Sequence, residues 1–550
     1  MKSRLLLGLS AAFLIAAGAL IGGYLHRVPP RSPAGEDWSS HPAVQRFRTA
    51  LEIVQDNYAG DTSSSELVHS AILGALHNLD PHSSFFDRRE FDEMQDEQSS
   101  RFHGIGVTIN QRNGRIYVLG VGKGMPAEKT GIRYGDAIVA VDGQPTRGWT
   151  QQDILKHVRG MRGTPVDLTI ERLGEAKLLS VRIIRDEVPY PSVRNHFMLR
   201  QGVGYIGLTG GFNQTTSDEV REALNDLRLK GMTSAILDLR RNPGGLFRQA
   251  VEVAETFLPR DEGIVTVRSR QGRSNQQVYY SENREPEAMP LVVLIDGESA
   301  SASEIVAGAI QDRDRGLIVG EPSFGKGLVQ TVFRLPAGTG LTLTTAKYFT
   351  PSGRSIQRAY AGVGYYDYYF SRYAPKGDHR PESSGDPVYT PTGRRLASGG
   401  GIEPDIAIKA PAENIRLRDA CFEFARRLSS GVLTGLEQYK VVANDADYEL
   451  RGTEFPVTEP VLNAFRIFLR EHADLRIPEA DVAAQGDYIK RRIRSEMITA
   501  AYGIKAADQF LMESDPQAVQ AVEALPRAKH LSDLARVFKP AGQTSPQTRH

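Results

Sequence analysis

Cysteine is nearly absent from this sequence of 550 residues, and neither sign of charge predominates. The single cysteine, Cys421, excludes an intrachain disulfide and a thiolate metal cluster, and its helical setting predicts a packed core residue. Lysine and arginine number 67 against 66 aspartates and glutamates, so the formal net charge of +1 and the lack of a basic stripe argue against a nucleic-acid-binding protein. An HExxH motif and a cluster of histidines with aspartates are also missing, so the sequence predicts no metal site.

Histidine is missing from the middle of the chain, since none occurs between Phe197 and Asp378. A catalytic triad built there on a serine and a histidine would need a histidine from another segment. Lysines are few in the same stretch, and Lys326 stands between two glycines after a predicted strand. Glycines let the backbone turn sharply there, so this lysine is the one whose side chain can be aimed inward.

A serine and this lysine together can form a nucleophile with its base. Ser301 lies in Ser299-Ala-Ser-Ala-Ser-Glu304, where a predicted strand meets a predicted helix. A lysine acts as a base only when neutral, and lowering its pKa from about 10.4 to about 7–8 requires burial. The sequence therefore predicts that Lys326 is enclosed, with Gln330 available to orient the amine. Oxyanion donors would be the N–H of Ala302 and an N–H of the turn that contains Gly244 and Gly245.

Each of these motifs also has a plain structural interpretation. Ser301 to Glu304 matches the S-x-x-E capping box, and Asn242-Pro-Gly-Gly taken alone is a turn. The stretch from Gly320 to Lys326 matches seven positions of a phosphate loop. Its eighth position, Gly327, has no hydroxyl for Mg²⁺, and the residues that follow alternate like a strand, which disfavours nucleotide binding.

The N-terminus predicts a membrane segment. Leu5 to Leu25 is an uncharged, mostly apolar run preceded by Lys2 and Arg4, and its length matches the roughly 30 Å core of a bilayer. We expect an uncleaved anchor over residues 1–27, with Ala17-Gly-Ala19 as the cleavage site if the segment is instead a removed signal. The preceding positive charge places the rest of the chain in the periplasm or outside the cell.

The remaining chain divides by composition and periodicity. We expect a proline-rich linker over 28–41, a helical region over 42–100, a β-rich module over 103–186 and an α/β core over 187–410. Residues 361–400 are Tyr-, Gly- and Ser-rich without periodicity, which favours a surface loop over a functional segment. A helical C-terminal extension with a polar tail covers 411–550. The fold class is multidomain α/β with helical regions at both ends.

The β-rich module closely resembles a PDZ domain in the order of Pro126-Ala, Gly131-Ile and Gly135-Asp among its strands. His103, Gly104, Ile105 and Gly106 stand where such a domain receives a peptide's terminal carboxylate. Backbone N–H groups of a glycine loop can cradle a carboxylate, and the following strand can pair with an extended peptide. The alternative is that these glycines only make a tight turn.

Six motifs in order resemble the carboxyl-terminal processing proteases, the tail-specific S41 peptidases, over residues 43–411. Besides the PDZ-like module, they are Leu79-Asp-Pro-His-Ser-Ser-Phe, Asp238-Leu-Arg-Arg-Asn-Pro-Gly-Gly, Ser299-Ala-Ser-Ala-Ser-Glu-Ile, Phe324-Gly-Lys-Gly-Leu-Val-Gln, Tyr348-Phe-Thr-Pro-Ser-Gly-Arg-Ser-Ile-Gln and Gly401-Ile-Glu-Pro-Asp.

This resemblance implies a crotonase-like α/β protease core with an inserted PDZ domain, and it implies no metal or organic cofactor. It makes Ser301 the nucleophile, Lys326 the general base and Gln330 its positioning partner. The oxyanion donors would be Ala302 and one of the two glycines, Gly244 or Gly245. The 361–400 insertion and the region after residue 411 depart from the family pattern.

The sequence thus predicts a membrane-tethered serine endopeptidase that binds protein substrates by their C-termini and cleaves them with a Ser/Lys dyad. The competing hypothesis is a non-catalytic PDZ scaffold or chaperone on a protease-like fold. Protein or peptide substrates and the membrane are the expected partners, and nucleic acid is not. The oligomeric state, a homo-oligomer included, stays open.

Overall fold

The computed structural model describes residues 39–270, 276–370, 385–442, 448 and 450–537. The chain divides into two units between Leu76 and His77. The predicted anchor over 1–27 lies outside the described residues. Among the helices of the described ranges, none has the length and apolarity needed to cross a membrane.

The first unit holds two helices of the helical region predicted after the linker. Helix α1 (Pro42–Asn57) begins with a proline at its first turn, where the missing N–H costs nothing, and His41 caps it by accepting the N–H of Ala43. Helix α2 (Ser64–His77) follows and reaches the boundary between the units. The second unit begins with the short strand β1 (Ser84–Phe86) and helix α3 (Arg88–Gln98), whose N-cap is Asp87.

The PDZ-like module is a twisted antiparallel sheet with one helix packed on it. Its apolar core includes Ile116, Val118, Ile138 and Leu168 of the strands, and Ile154 of the helix packs against them. The hydrogen-bonded order is β3-β4-β5-β7-β8, with β6 beside β5, and β2 pairs with β9. Its elements are β2 (Arg101–Gly104), β3 (Val107–Arg112), β4 (Arg115–Val121), β5 (Ala137–Val141), β6 (Gln144–Pro145), α4 (Gln151–Val158), β7 (Pro165–Glu171), β8 (Leu179–Ile184) and β9 (Asp186–Pro189).

The α/β core is built on a six-stranded sheet, whose strands in hydrogen-bonded order are β10 (Val193–Arg200), β11 (Val203–Leu208), β12 (Ser234–Asp238), β15 (Leu291–Ile295), β16 (Leu317–Gly320) and β21 (Ile406–Ala407). Strand β10 is antiparallel to its neighbour, and the other five strands are parallel. The central strands are buried on both faces, as parallel sheets covered by helices are. The other elements of this part of the chain are α5 (Thr216–Leu229), α6 (Phe247–Phe257), β13 (Gly263–Ser269), β14 (Gln276–Tyr280) and α7 (Ala302–Asp312).

Helices cover both faces of this sheet. Leu237 and Val293 pack in one apolar core with residues of α5, α6 and α7. On the opposite face, Ile236 and Leu294 pack against Ala521 of the C-terminal extension. The extension is therefore part of the core of the α/β domain.

A second sheet stands beside the first, in the order β1-β18-β13-β14, with β17 on the other edge of β18. Strand β17 (Leu328–Arg334) forms a long hairpin with β18 (Gly340–Phe349). The strand predicted directly after Lys326 is thereby confirmed, and the helix that a phosphate loop requires is absent from this described stretch. The insertion contains helix α8 (Tyr365–Phe370) and the hairpin β19 (Gly385–Tyr389) with β20 (Arg395–Ser398). Strand β21 (Ile406–Ala407) is the edge strand of the six-stranded sheet, next to β16.

The described part of the C-terminal extension is helical. Phe422 packs its ring edge-on against Tyr117 and Tyr134 of the PDZ-like module, and Arg112 of that module forms a buried ion pair with Asp419 at 2.8 Å. Cys421 is fully buried in the helical core, as predicted. The helices are α9 (Ile415–Ser430), α10 (Glu459–Glu471), α11 (Glu479–Ala484), α12 (Gly486–Met512) and α13 (Pro516–Val537).

Candidate active site

The motifs that predict catalysis meet at one edge of the parallel sheet. Strands β12, β15 and β16 are neighbours, and their carboxyl ends lead into the turn with Asn242, the segment with Ser301 and the loop with Lys326, respectively. Loops at the carboxyl ends of adjacent parallel strands lie together, so topology alone brings these three segments into one place.

Ser301 stands at the start of α7 with φ 56° and ψ −111°. This backbone conformation is unfavourable for a residue with a Cβ and is found chiefly where a function requires it. It gives a sharp strand-to-helix turn, in which the N–H groups of Ser303 and Glu304 donate to the carbonyl oxygens of Ala300 and Ser301. Ser301 is partly exposed at this turn, whereas Ala302 is buried behind it.

Lys326 is partly buried and makes a specific side-chain contact. Its Nζ donates to Oε1 of Gln330 at 2.9 Å. Burial lowers the pKa of the lysine from 10.5 to about 8, while the negative charges of Glu304 and Asp80 act in the opposite direction. Gly325 has φ +88°, in the left-handed region that favours glycine, and so provides the turn expected before the lysine. A substantial neutral fraction of this amine is present near pH 8.

Glu304 ties the two loops together, a role that its sequence match to a capping box does not reveal. Oε2 accepts the main-chain N–H of Ser301 at 2.8 Å and that of Lys326 at 2.9 Å. Oε1 accepts the N–H of Gly325 at 2.7 Å and the hydroxyl of Ser323 at 2.5 Å. The side chain is fully buried, and burial raises the pKa of its carboxyl while these four donors lower it.

Tyr348 joins the same two residues through their carbonyl groups. Its hydroxyl lies 3.0 Å from the carbonyl oxygen of Ser301 and also contacts that of Lys326. Ser301 and Lys326 thus share two partners, because Glu304 accepts both of their N–H groups and Tyr348 contacts both of their carbonyl oxygens. The described contacts of Lys326 Nζ include the hydrogen bond to Gln330 and none to Oγ of Ser301.

The Asn-Pro-Gly-Gly turn packs directly against Ser301. A Cβ on Gly244 would lie 2.8 Å from the Cβ of Ser301 and 2.9 Å from the nitrogen of Ala302. The N–H of Gly244 donates to Oδ1 of Asn242 at 2.9 Å. Gly245 forms a parallel bridge with Phe212 in which the bonds are made by the carbonyl of Gly244 and the N–H of Leu246.

The two glycines therefore differ in what they can donate. In a parallel bridge of this kind the central residue's own N–H points away from the partner strand. Within the described contacts, the N–H groups of Gly245 and Ala302 have no acceptor, whereas that of Gly244 is already used.

A histidine from outside the α/β core reaches this region, which the sequence analysis did not anticipate. Nε2 of Gln330 donates a hydrogen bond to the carbonyl oxygen of His82. Both ring nitrogens of His82 are occupied by hydroxyls, Nε2 by Tyr368 at 3.0 Å and Nδ1 by Tyr369 at 2.9 Å. The imidazole thus has no free nitrogen with which to take a proton from Ser301. Only the Leu79-Asp-Pro-His motif marked this segment in the sequence.

The tyrosine-rich insertion is not the surface loop that its aperiodic sequence predicts. Tyr368 is 3% exposed and its ring packs edge-on against those of His82 and Phe324. The prediction of a plain surface loop is therefore wrong for α8, because short aromatic segments can be buried without helical or strand periodicity over a longer window. In the described ranges, no three His, Cys, Asp or Glu side chains are grouped so as to hold a metal ion.

The predicted carboxylate loop borders a small apolar cavity of about 30 Å³ in the PDZ-like module. The cavity is lined by Gly104, Ile105 and Gly106 of this loop and by Leu155 and Val158 of α4. Three other apolar or aromatic side chains and Arg159 complete the lining. Of the predicted residues, His103 does not line it; its carbonyl oxygen accepts the N–H of Gly160.

Gly106 could not be replaced by a larger residue in this loop. Its φ is +75°, and an added Cβ would lie 2.3 Å from the Cβ of Met125. The N–H groups of Ile105 and Gly106 have no acceptor among the described residues, while both carbonyls accept bonds from neighbouring loops. The loop thus presents two unused donors beside an apolar cavity.

Comparison with known proteins shows the family of this chain. The model for peptidase family S41 matches residues 202–364, and the model for PDZ domains matches residues 93–171. A carboxy-terminal-processing protease of Bartonella bacilliformis is 36% identical over 352 residues, which are 63% of this chain and 79% of that protein. The chain belongs to the carboxy-terminal processing proteases of peptidase family S41. The family resemblance predicted from the sequence is confirmed.

Other members of the family are similar over comparable lengths. Carboxy-terminal processing protease CtpA of Bacillus subtilis is 33% identical over 314 residues, 57% of this chain and 66% of that one. The solved structure of a photosystem II D1 C-terminal processing protease is 27% identical, with a TM-score of 0.36, and the match covers 67% of this chain and 94% of that one. The two family models together show an S41 protease core combined with a PDZ domain in this chain.

Proposed function

We propose that this chain is a serine endopeptidase with Ser301 as nucleophile, Lys326 as general base and Gln330 as the residue that orients the base. The observation that carries the proposal is the amine of Lys326. Burial brings its pKa to about 8, Gln330 holds it, and Glu304 fixes its loop to that of the serine.

The protonation state of the amine decides the first step. A neutral amine has two N–H bonds and one lone pair, so it donates to Gln330 and directs the lone pair to Ser301. As Oγ attacks the scissile carbonyl carbon, its proton passes to Nζ and a tetrahedral oxyanion forms. The ammonium then gives that proton to the departing amine, and an acyl-enzyme on Ser301 remains. Water, deprotonated by the same amine, attacks the acyl carbon, and the ammonium returns the proton to Oγ of Ser301 as the C–Oγ bond breaks and the carboxylic acid product leaves. The proton transfer requires Oγ of Ser301 within hydrogen-bond reach of Nζ when substrate is bound.

The oxyanion needs two donors that are not already used. We assign them to the N–H groups of Ala302 and Gly245, which lack acceptors, while Gly244 packs against Ser301 and donates to Asn242. Backbone donors held by a helix start and a bridged turn need no reorganisation as charge develops.

Proteolysis of an unfolded protein tests the dyad. We expect wild-type protein to cut it, and Ser301→Ala and Lys326→Ala each to abolish cutting, while Lys347→Ala, which changes an exposed lysine on β18, leaves it unchanged. Unchanged cutting by Ser301→Ala would reject the assignment. A wild-type protein that binds the substrate without cutting it would favour the competing hypothesis of a scaffold or chaperone.

We also propose that the PDZ domain binds the C-terminus of the substrate. Support comes from the two unused N–H groups of Ile105 and Gly106 beside an apolar cavity, which suit a carboxylate and an apolar terminal side chain. The solved PDZ domain of a carboxy-terminal protease from Vibrio cholerae, in complex with a peptide, is 25% identical with a TM-score of 0.15 and covers 16% of this chain and 97% of that one.

One substrate made with a free and with an amidated C-terminus tests carboxylate capture. We expect KM to rise on amidation in the wild type, and Leu155→Arg, which fills the cavity, to remove the difference. Gln152→Arg, at an exposed position of the same helix, is the matched control. Equal cleavage of both substrates by the wild type would contradict the proposal.

We further propose that residues 1–27 attach the protein to the inner membrane with the protease outside the cytoplasm. The apolar run after Lys2 and Arg4 supports this. Deletion of 1–27 should move the protein from the membrane fraction to the soluble fraction, and a wild-type protein found only in the cytoplasm would contradict the proposal.

A further inference from the structure

Tyr368 and Tyr369 of the insertion contact His82, and His82 contacts Gln330, which holds the proposed base. Lys326 donates to Gln330, and Gln330 donates through its other side-chain atom to the carbonyl oxygen of His82. The position of the amine therefore depends on His82. The main-chain N–H of His82 donates to Oδ1 of Asp80 at 2.8 Å, and in the described part of the chain its ring is hydrogen-bonded by Tyr368 and Tyr369 and packs against Phe324.

The hydrogen bonds around the ring define one consistent arrangement of protons. The hydroxyl of Tyr369 donates to the carbonyl oxygen of Pro81 at 2.8 Å, so its oxygen accepts from Nδ1–H of His82. Nε2 then carries no proton and accepts a hydrogen bond from the hydroxyl of Tyr368. The oxygen of that hydroxyl accepts a hydrogen bond from Nε2 of Gln357 at 3.2 Å. Every polar atom of the group is satisfied by this assignment, which follows from the network.

The ring stays neutral across the working range of pH. Burial lowers the pKa of His82 to about 3, and the charge of Lys326 acts in the same direction. A neutral imidazole with one donor and one acceptor requires partners of opposite kind on its two nitrogens. The two tyrosine hydroxyls meet that requirement.

Aromatic packing places α8 over the loop of the base as well. The guanidinium of Arg358 lies 4.0 Å from the ring centres of both Phe324 and Tyr368. The main-chain N–H of Arg358 donates to the carbonyl oxygen of Gly325 at 3.0 Å. The helix is thereby tied to the residues on the N-terminal side of Lys326.

We infer that Tyr368 and Tyr369 are positioning residues for the proposed base. They fix the ring of His82, and the carbonyl oxygen of His82 fixes Gln330. The insertion thus supplies part of the support that keeps the amine of Lys326 in its enclosed position. This inference rests on the proposed function and extends it to a segment outside the family motifs.

Removing only the hydroxyls tests the inference, because Tyr→Phe changes keep the ring packing. In the double variant Tyr368→Phe/Tyr369→Phe we expect kcat to fall about tenfold with KM nearly unchanged, because a positional defect in the base affects the chemical step. We also expect the acidic limb of the pH profile to move to higher pH, because a looser, better hydrated amine has a higher pKa. The charged groups that act on Lys326 and His82, which are Glu304, Asp80 and Arg358, are unchanged in this variant.

Tyr389→Phe is the matched control, since this tyrosine lies in β19 of the same insertion and is 62% exposed. Its kcat, KM and pH profile should equal those of the wild type. Thermal unfolding of each variant shows that the fold is kept. A double variant with wild-type kcat and an unmoved limb would overturn the inference, and so would a loss of activity that accompanies a lower Tm with no movement of the limb.

A mutant cycle with His82→Phe separates action through the ring from independent action. Phenylalanine needs no hydroxyl partners, so removing both hydroxyls should cost no further activity in that background. The same tenfold loss in both backgrounds would show that the tyrosines do not act through His82, and would overturn the inference. A wild-type protein that does not cleave substrate would instead contradict the proposed function, and this inference with it.

Discussion

The main-chain N–H groups of Ser301 and Lys326 donate to the same oxygen, Oε2 of Glu304, at 2.8 and 2.9 Å. A single buried carboxylate thereby sets the separation of the two loops that carry the proposed nucleophile and base. Four donors converge on it, which is the full number that two carboxylate oxygens readily accept.

Glu304→Gln should lower activity strongly while leaving a folded protein. The amide has one acceptor oxygen where the carboxylate has two, so one or two of the four donors lose their partner at a cost of about 1–3 kcal/mol each. We expect kcat to fall at least tenfold and Tm to drop. Glu222→Gln, at an exposed position of α5, should change neither quantity. Wild-type kcat in Glu304→Gln would show that the carboxylate does not set the geometry of the site.

Gly244→Ala should damage the site by steric overlap. The added Cβ would lie 2.7 Å from the carbonyl oxygen of Ala300 and 2.8 Å from the Cβ of Ser301, and φ at this position is +98°. We expect destabilisation of about 1–3 kcal/mol in urea unfolding and nearly complete loss of cleavage. At Gly486 an added Cβ meets nothing within 4 Å, so Gly486→Ala provides the comparison. Full activity in Gly244→Ala would contradict the close packing of this turn on the serine.

Asp515→Asn should show that the C-terminal extension supports the catalytic core. Arg240, at the start of the turn that leads to Asn242, pairs with Asp238 at 2.6 Å and with Asp515 at 3.1 Å, and its guanidinium is largely buried. Weakening one side of a largely buried ion pair costs up to about 3 kcal/mol. We expect a lower urea midpoint together with reduced kcat. Arg248→Ala removes a solvent-exposed guanidinium that pairs with Glu252 and should leave the urea midpoint and kcat nearly unchanged. If Asp515→Asn and Arg248→Ala affected the urea midpoint and kcat equally, this would argue against support of the catalytic core by the C-terminal extension.

Much of the core could be predicted from sequence because its signals are local. Apolar runs such as Leu291–Ile295 and Leu317–Gly320 are bounded by turn residues, and the structure has strands with those limits. The same holds for the alternation after Lys326, which predicts β17. Ser301, Lys326 and the glycine turn each follow a predicted strand, so the sequence predicts that they lie at strand ends, and the strand order then brings them to one edge.

The parts of the site that were missed depend on long-range contacts. His82 lies more than two hundred residues before Gln330 in the chain, and no periodic pattern connects them. Tyr368 belongs to a short aromatic segment without amphipathic repeat, so its burial is decided by the tertiary partners His82 and Phe324. Glu304 was visible only as a capping residue, because its second set of partners comes from a loop in another part of the chain.

The dependence of kcat/KM on pH tests the central claim most directly. Lys326 must be neutral to accept the proton of Ser301, and its pKa is lowered by burial to about 8. Cleavage should therefore rise tenfold per pH unit below that value, pass its half-maximum near pH 8 and level off above it. The rise of kcat/KM with pH should persist in His82→Phe, because the imidazole has no free nitrogen with which to accept the proton of Ser301. A half-maximum near pH 6.5 that vanishes with His82, or activity that keeps rising beyond pH 10, would contradict a buried, neutral lysine as the base.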